Sequence, residues 1–284
     1  MIQLSENDTK ALTALAVYQY LTPSQMERLG VGTRRAYIRD NTLARLLRVR
    51  PALINAQDFG VIPRIGRLER IYYLTEHGAQ IAADFMRCDI SEIVFPRFGV
   101  RYRDDYFHRK HHVNFHIALR QWIEAGEGRE LEFFDSYYTK TKRQRSHSIN
   151  QILFKPDLTL PAHYRKTIEP DGIFRFSKSS KVFLCAVEIH RKADSKYITK
   201  QLDAHMTALD QSLLADKYDQ PTDNLVLSVH ESVSSFKSVQ KRLLSLPEFE
   251  RFIPFFHFTL TDSLTERLDK KWILANGEKS TLFI

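Results

Sequence analysis

The chain has 284 residues, enough for two ordinary domains that each bury a core. Its hydrophobic fraction of 43% and charged fraction of 27% are those of a globular protein and exclude a disordered chain. Lys and Arg outnumber Asp and Glu by 42 to 34, a formal charge of +8 that points to a polyanionic partner.

No run of about 18 apolar residues is present, and the first residues lack a signal peptide's basic-then-apolar pattern. The expectation is a cytoplasmic protein without membrane insertion. Of two cysteines, Cys185 lies in an apolar run and Cys88 far from it, which reads as reduced thiols and neither a disulfide framework nor a zinc site.

From Lys10 to Arg48 the apolar spacing is helical. Leu12, Leu15, Ala16 and Tyr20 mark a first helix that stops before Thr22. Thr22 caps a second helix with Pro23 at its first position. Gly30 and Gly32 break the chain, and Thr33 caps a third helix running to about Arg48. Arg34, Arg35, Arg39, Arg45 and Arg48 decorate that helix, with Tyr37 or Ile38, Leu43, Leu46 and Leu47 as its apolar side. Two extended segments, Val61–Ile65 and Arg67–Leu74, meet at Gly66 and predict a hairpin with Arg64, Arg67 and Arg70 near its tip. Thr75 caps a helix to Met86, with Glu76 in its first turn. Three helices, a basic hairpin and a helix predict a winged helix-turn-helix over residues 1–90. The stretch Tyr72-Tyr-Leu-Thr-Glu-His-Gly78 resembles the end of the wing in bacterial winged-helix proteins. Helix and hairpin arginines are expected to approach one DNA duplex together.

A connector over 91–107 leads to an α/β order over 108–284. A helix is predicted over Lys110–Ala125, with His112, Phe115, Ile117, Leu119 and Trp122 facing inward. Strands follow at Glu130–Tyr138, Ile168–Phe176 and Lys181–His190. Then come a helix over Ser195–Leu214, a strand at Asn224–Val229, a helix near Ser234–Leu246 and a strand near Arg251–Leu260. His108, His111, His112 and His116 cluster at the first helix, where a basic helix start outweighs a metal site. Lys140, Lys142, Arg143 and Arg145 form a basic run between strands, placed to grip a nucleic-acid backbone.

Asp171 opens one strand and Glu188 lies near the end of its hairpin partner, so antiparallel pairing brings the two carboxylates together. Close carboxylates repel unless a cation joins them, and Mg²⁺ or Mn²⁺ with waters and phosphate oxygens suits such a pair. A metal so held polarises a phosphodiester.

Pro170-Asp171, then Glu188 after a hairpin with a polar residue two positions on, resembles the PD-(D/E)xK nuclease core. The helix-strand-strand-strand-helix-strand order is that fold's order. A winged helix followed by Pro170-Asp171, Val187-Glu188-Ile-His-Arg191 and a basic helix is similar to the replication-relaxation proteins, which include the C-class mobilisation relaxases of plasmids. The resemblance covers most of the chain. It implies an α+β protein: a winged helix followed by a restriction-endonuclease-like domain with a central mixed sheet. It also implies Asp171 and Glu188 as ligands of Mg²⁺ or Mn²⁺.

The implied activity is nicking of one strand of double-stranded DNA at an origin-like site, in plasmid mobilisation, conjugation or replication, alongside other mobilisation or replication proteins. Position 190 departs from the pattern, with His190 where a lysine is expected. Histidine there serves as ligand, acid or base, while Lys192 or Lys200 supplies the missing charge and Tyr197 is a candidate nucleophile. His190 equally fits a replication or transcription regulator with a degenerate nuclease-like domain. A nuclease cutting both strands ranks behind these two.

Overall fold

In the computed structural model, residues 3–96, 105–138, 158–159, 167–191, 194–220, 223–266, 268–269 and 271–283 are described. The chain divides into two compact units, residues 1–114 and 115–284.

The first unit opens with α1 (Glu6–Tyr18), whose cap Ser5 and third residue Asp8 form a reciprocal capping box. Thr22 caps α2 (Pro23–Arg28) in the same way, with Gln25 as its partner and Pro23 in the first turn. The next helical segment starts one residue later than Thr33 predicts. It runs as α3 (Arg35–Tyr37), a π-helical stretch Ile38–Leu43 and α4 (Ala44–Arg48), and its cap residue Arg34 makes no side-chain cap bond. Ile38, not Tyr37, faces the core: Ile38 is fully buried and Tyr37 is 51% exposed.

A strand that the hydrophobic pattern does not mark follows, β1 (Ile54–Gln57). The expected hairpin is smaller than predicted, with β2 (Val61–Ile62) and β3 (Gly66–Arg67) in antiparallel register. Arg64 and Gly66 both take positive φ at its turn. The residues after β3 leave the hairpin as β4 (Ile71–Leu74), which pairs with β1 from Ile54↔Leu74 to Gln57↔Ile71. Thr75 caps α5 (Glu76–Met86) through the Gly78 N–H, as its position predicts. Leu12, Leu15, Met26, Ile38, Leu43, Leu46, Ile54, Leu74 and Ala79 form the sealed interior.

The division between units falls inside α6 (Tyr106–Glu124). Beyond it come β5 (Arg129–Ser136), the two-residue pair β6 (Leu158–Thr159) and β7 (Thr167–Ile168), then β8 (Gly172–Lys178) and β9 (Lys181–His190). The expected strand Ile168–Phe176 is thus two strands, parted by Glu169-Pro170-Asp171, because proline lacks the amide a continuous ladder needs. The helix predicted to Leu214 is α7 (Ser195–Asp210) and a separate α8 (Leu213–Lys217), with Ser212 at positive φ between them. The chain continues through β10 (Leu225–His230), α9 (Val233–Leu244), a 3₁₀ stretch Pro247–Phe255, β11 (Phe256–Leu260), α10 (Ser263–Glu266) and β12 (Ile273–Leu274).

Six strands form one mixed sheet in the order β12-β11-β10-β9-β8-β5. The β8–β9 and β5–β8 pairs are antiparallel, and β9, β10 and β11 run parallel. One sheet face packs Cys185, Val187, Ile189, Leu227 and Val229 with Phe115, Leu119 and Trp122 of α6. The other packs Leu184 and Ala186 with Ala208, and Val226 and Phe258 with α7 and α9 residues Leu202 and Val239. Cover on both faces explains why β9 reads as a continuous apolar run. No helix among the described residues is long and apolar enough to cross a membrane.

Candidate functional site

Two sets of side chains carry chemistry, one in each unit. In the first unit Arg34, Arg35, Arg39, Arg45 and Arg48 on the α3–α4 segment are exposed, as are Arg64, Arg67 and Arg70 in and after the hairpin. Several are held by local acids. Arg35 pairs with Glu27 at 3.5 Å, Arg39 with Asp40 at 2.7 Å, and Arg45 with the buried Asp8 of α1. Asp58 accepts from Arg67 at 2.6 Å, Arg70 at 3.3 Å and the Gly60 N–H at 2.8 Å. The Gly60 amide first, then Arg67, brings the Asp58 carboxyl down to about 2, so it is ionised at neutral pH. Arg34, Arg48 and Arg64 have no acidic partner among the described residues.

Burial of Tyr72 on β4 pushes its phenol above its ordinary range, against the opposing pull of the Arg70 and Arg39 charges. α2 is held by Glu69, which accepts from the Ser24 N–H at 3.0 Å and from the Ser24 hydroxyl at 2.6 Å, and pairs with Lys110 at 3.2 Å. The basic run Lys140, Lys142, Arg143 and Arg145 lies outside the described residues.

In the second unit, Asp171 sits one step beyond the last β8–β9 rung, Gly172↔Val187, which places it opposite Glu188 on the α7 side of the sheet. The hairpin thus brings the two predicted carboxylates to neighbouring positions. Each already has protein partners. Asp171 Oδ2 accepts the Ile189 N–H at 2.5 Å. Glu188, 2% exposed, meets His205 Nε2 of α7 at 2.6 Å, and His205 is itself 2% exposed.

His190 is buried, its ring 4.8 Å from that of His230, its register partner on β10. Ser228, opposite Glu188 in register, lies 2.9 Å from His230 Nε2. Burial brings the His230 imidazole down to about 4, so it is neutral at pH 7.

His205 is the residue that sequence reasoning missed. Its signal is the spacing Ile198, Leu202, His205, Met206, Leu209, which puts a histidine on the apolar stripe of α7. Tyr197 is 61% exposed and eight residues before His205, about 12 Å along the helix axis. Lys200, also exposed, is on the solvent side of the same helix, so α7 does not bring either residue to Glu188. Lys192 lies outside the described residues.

Among the described residues no group of three or more His, Cys, Asp and Glu side chains gathers to hold a metal ion. One Glu188 oxygen faces an imidazole inside the protein, so a cation held by the Asp171–Glu188 pair would compete with His205 for it. The arrangement does suit a buried polar network joining β8, β9, β10 and α7 at one end of the sheet.

No protein-family model, no curated protein and no solved structure matches the chain.

Proposed function

We propose that the protein binds double-stranded DNA, with the first unit acting as a winged helix-turn-helix. The reading also makes the second unit a restriction-endonuclease-like domain that serves replication or transcription control without metal-dependent cleavage. The observation that carries it is the set of exposed arginines on both the α3–α4 segment and the hairpin, of which Arg34, Arg48 and Arg64 have no acidic partner among the described residues. Exposed guanidinium groups suit a phosphate backbone, which they meet bidentately. The order α6, β5, β8, β9, α7, β10 supports the nuclease-like reading of the second unit. The engagement of Glu188 by His205 favours loss of cleavage.

A second reading, nicking of one strand with Mg²⁺ or Mn²⁺ in plasmid mobilisation, is favoured by Asp171 and Glu188 standing opposite each other. Fluorescence anisotropy with a labelled duplex at low salt tests the binding. Binding is expected, weakened several-fold by Arg34→Ala combined with Arg64→Ala, and a parent protein that leaves the duplex free overturns the proposal. Incubation with supercoiled plasmid and either cation separates the two readings. The plasmid is expected to stay supercoiled; open circles made by the parent and abolished by Asp171→Ala would establish nicking instead.

A further inference from the structure

The outer side of the α3–α4 segment carries more than charge. Ile38, Thr42, Leu43 and Leu46 point into the core. On the opposite side Tyr37, Asn41, Ala44, Arg45 and Arg48 line an open groove of about 560 Å³, together with Asp40, Val49 and an edge of Thr42, and with Ser5 at the head of α1 on its flank. Tyr37, Asn41 and Arg48 are exposed and Ala44 half-buried, so these four share the outer side.

The groove's basic residues divide by what already holds them. Arg45 reaches across to Ser5 Oγ at 2.6 Å and to Asp8, and so forms a wall. Arg48 has no acidic partner among the described residues, and the Asn41 amide makes only a long bond of 3.3 Å to the Tyr37 carbonyl of its own turn. Arg35 and Arg39, held by Glu27 and Asp40, border this stripe. A helix whose arginines engage phosphates presents its outer face to base edges. There asparagine pairs bidentately with adenine, arginine with guanine, and a small apolar side chain with the thymine methyl.

We infer that the Tyr37–Asn41–Ala44–Arg48 stripe is a base-reading surface in the major groove, with Asn41 selecting adenine and Arg48 selecting guanine. This rests on the DNA-binding reading above and adds sequence selectivity to it. Arg34, beside the stripe, contacts phosphate and contributes to all sequences alike.

The test is selection of bound duplexes from a random-sequence library with the full chain, repeated with Asn41→Ala, Arg48→Ala and Arg34→Ala. The adenine preference is expected to vanish in Asn41→Ala and the guanine preference in Arg48→Ala. Each loses roughly 5- to 150-fold in discrimination at its own position and keeps the preference at the other. Arg34→Ala is expected to weaken every duplex equally and keep the consensus. An unchanged consensus in both Asn41→Ala and Arg48→Ala overturns the inference. Binding by the parent without any consensus overturns it too and leaves the DNA-binding reading standing, whereas no binding by the parent removes that reading itself.

Discussion

Buried histidines set the chemistry of the second unit more than its acids do. His205 meets Glu188, His230 meets Ser228, and His257 Nδ1 lies 2.7 Å from the Ser280 hydroxyl. Burial brings both His230 and His257 down to about 4, in the second case against a smaller upward pull from the Pro254 carbonyl. The unfolded chain takes up these two protons near pH 6.5 and the folded chain only near 4. Stability is therefore fully present above about 6.5 and falls as the pH drops toward 4, by about 1.4 kcal/mol per histidine per pH unit within that window. Urea unfolding between pH 7.5 and 5 is expected to show a midpoint that is flat above 6.5 and declines below it. His257→Asn keeps a donor or acceptor for Ser280 and removes one titration, so its decline is expected to be shallower. Equal slopes for variant and parent would sink the assignment. Composition and spacing single out Glu188 and His190, but His205 escapes because a lone histidine on an apolar stripe is read as core until its partner strand is known.

At the scale of elements, the end of the first unit shows why one glycine is required. Helix α5 starts against the backbone at the head of β1. Thr75 donates its hydroxyl to the Ala52 carbonyl at 2.7 Å and accepts the Gly78 N–H at 3.1 Å. A Cβ built on Gly78 would stand 1.8 Å from the Leu53 carbonyl oxygen, a contact no rotamer relieves. In an unhindered helix, glycine to alanine stabilises by about 1 kcal/mol. Gly78→Ala is instead expected to destabilise by about 2–4 kcal/mol, because α5 must move off β1. A thermal melt showing a raised or unchanged midpoint would refute the close approach. The legible elements are those with a local cause: the caps Thr22 and Thr75, the apolar run of β9, the amphipathic α6 and α7. The illegible ones depend on distant pairing. Ile54–Gln57 is a strand because Ile71–Leu74 lies beside it, and β12 is two residues held by β11. The π-helical stretch 38–43 likewise has no sequence signal, although it sets which side chains face the groove.

For the whole molecule, a net charge of +8 does not locate the cations open to a partner, because acids within the first unit already hold five of the eight arginines named there. Each duplex phosphate neutralised by a free cation adds about −0.9 to the slope of log affinity against log salt. If only Arg34 and Arg64 engage phosphate fully, with Arg48 on a base, the slope is about −2, well short of what eight contacts would give. Asp58 governs the balance, since it holds Arg67 and Arg70 together and stays ionised at neutral pH, brought down to about 2. Asp58→Asn keeps an acceptor for the Gly60 amide while releasing both guanidinium groups. It is expected to steepen the slope by about 1 to 2 and to raise affinity at 50 mM salt more than at 200 mM. Anisotropy titrations over that range measure both quantities. A slope identical to the parent's would mean that Arg67 and Arg70 do not face the duplex, and would confine the phosphate contacts to the α3–α4 segment and Arg64.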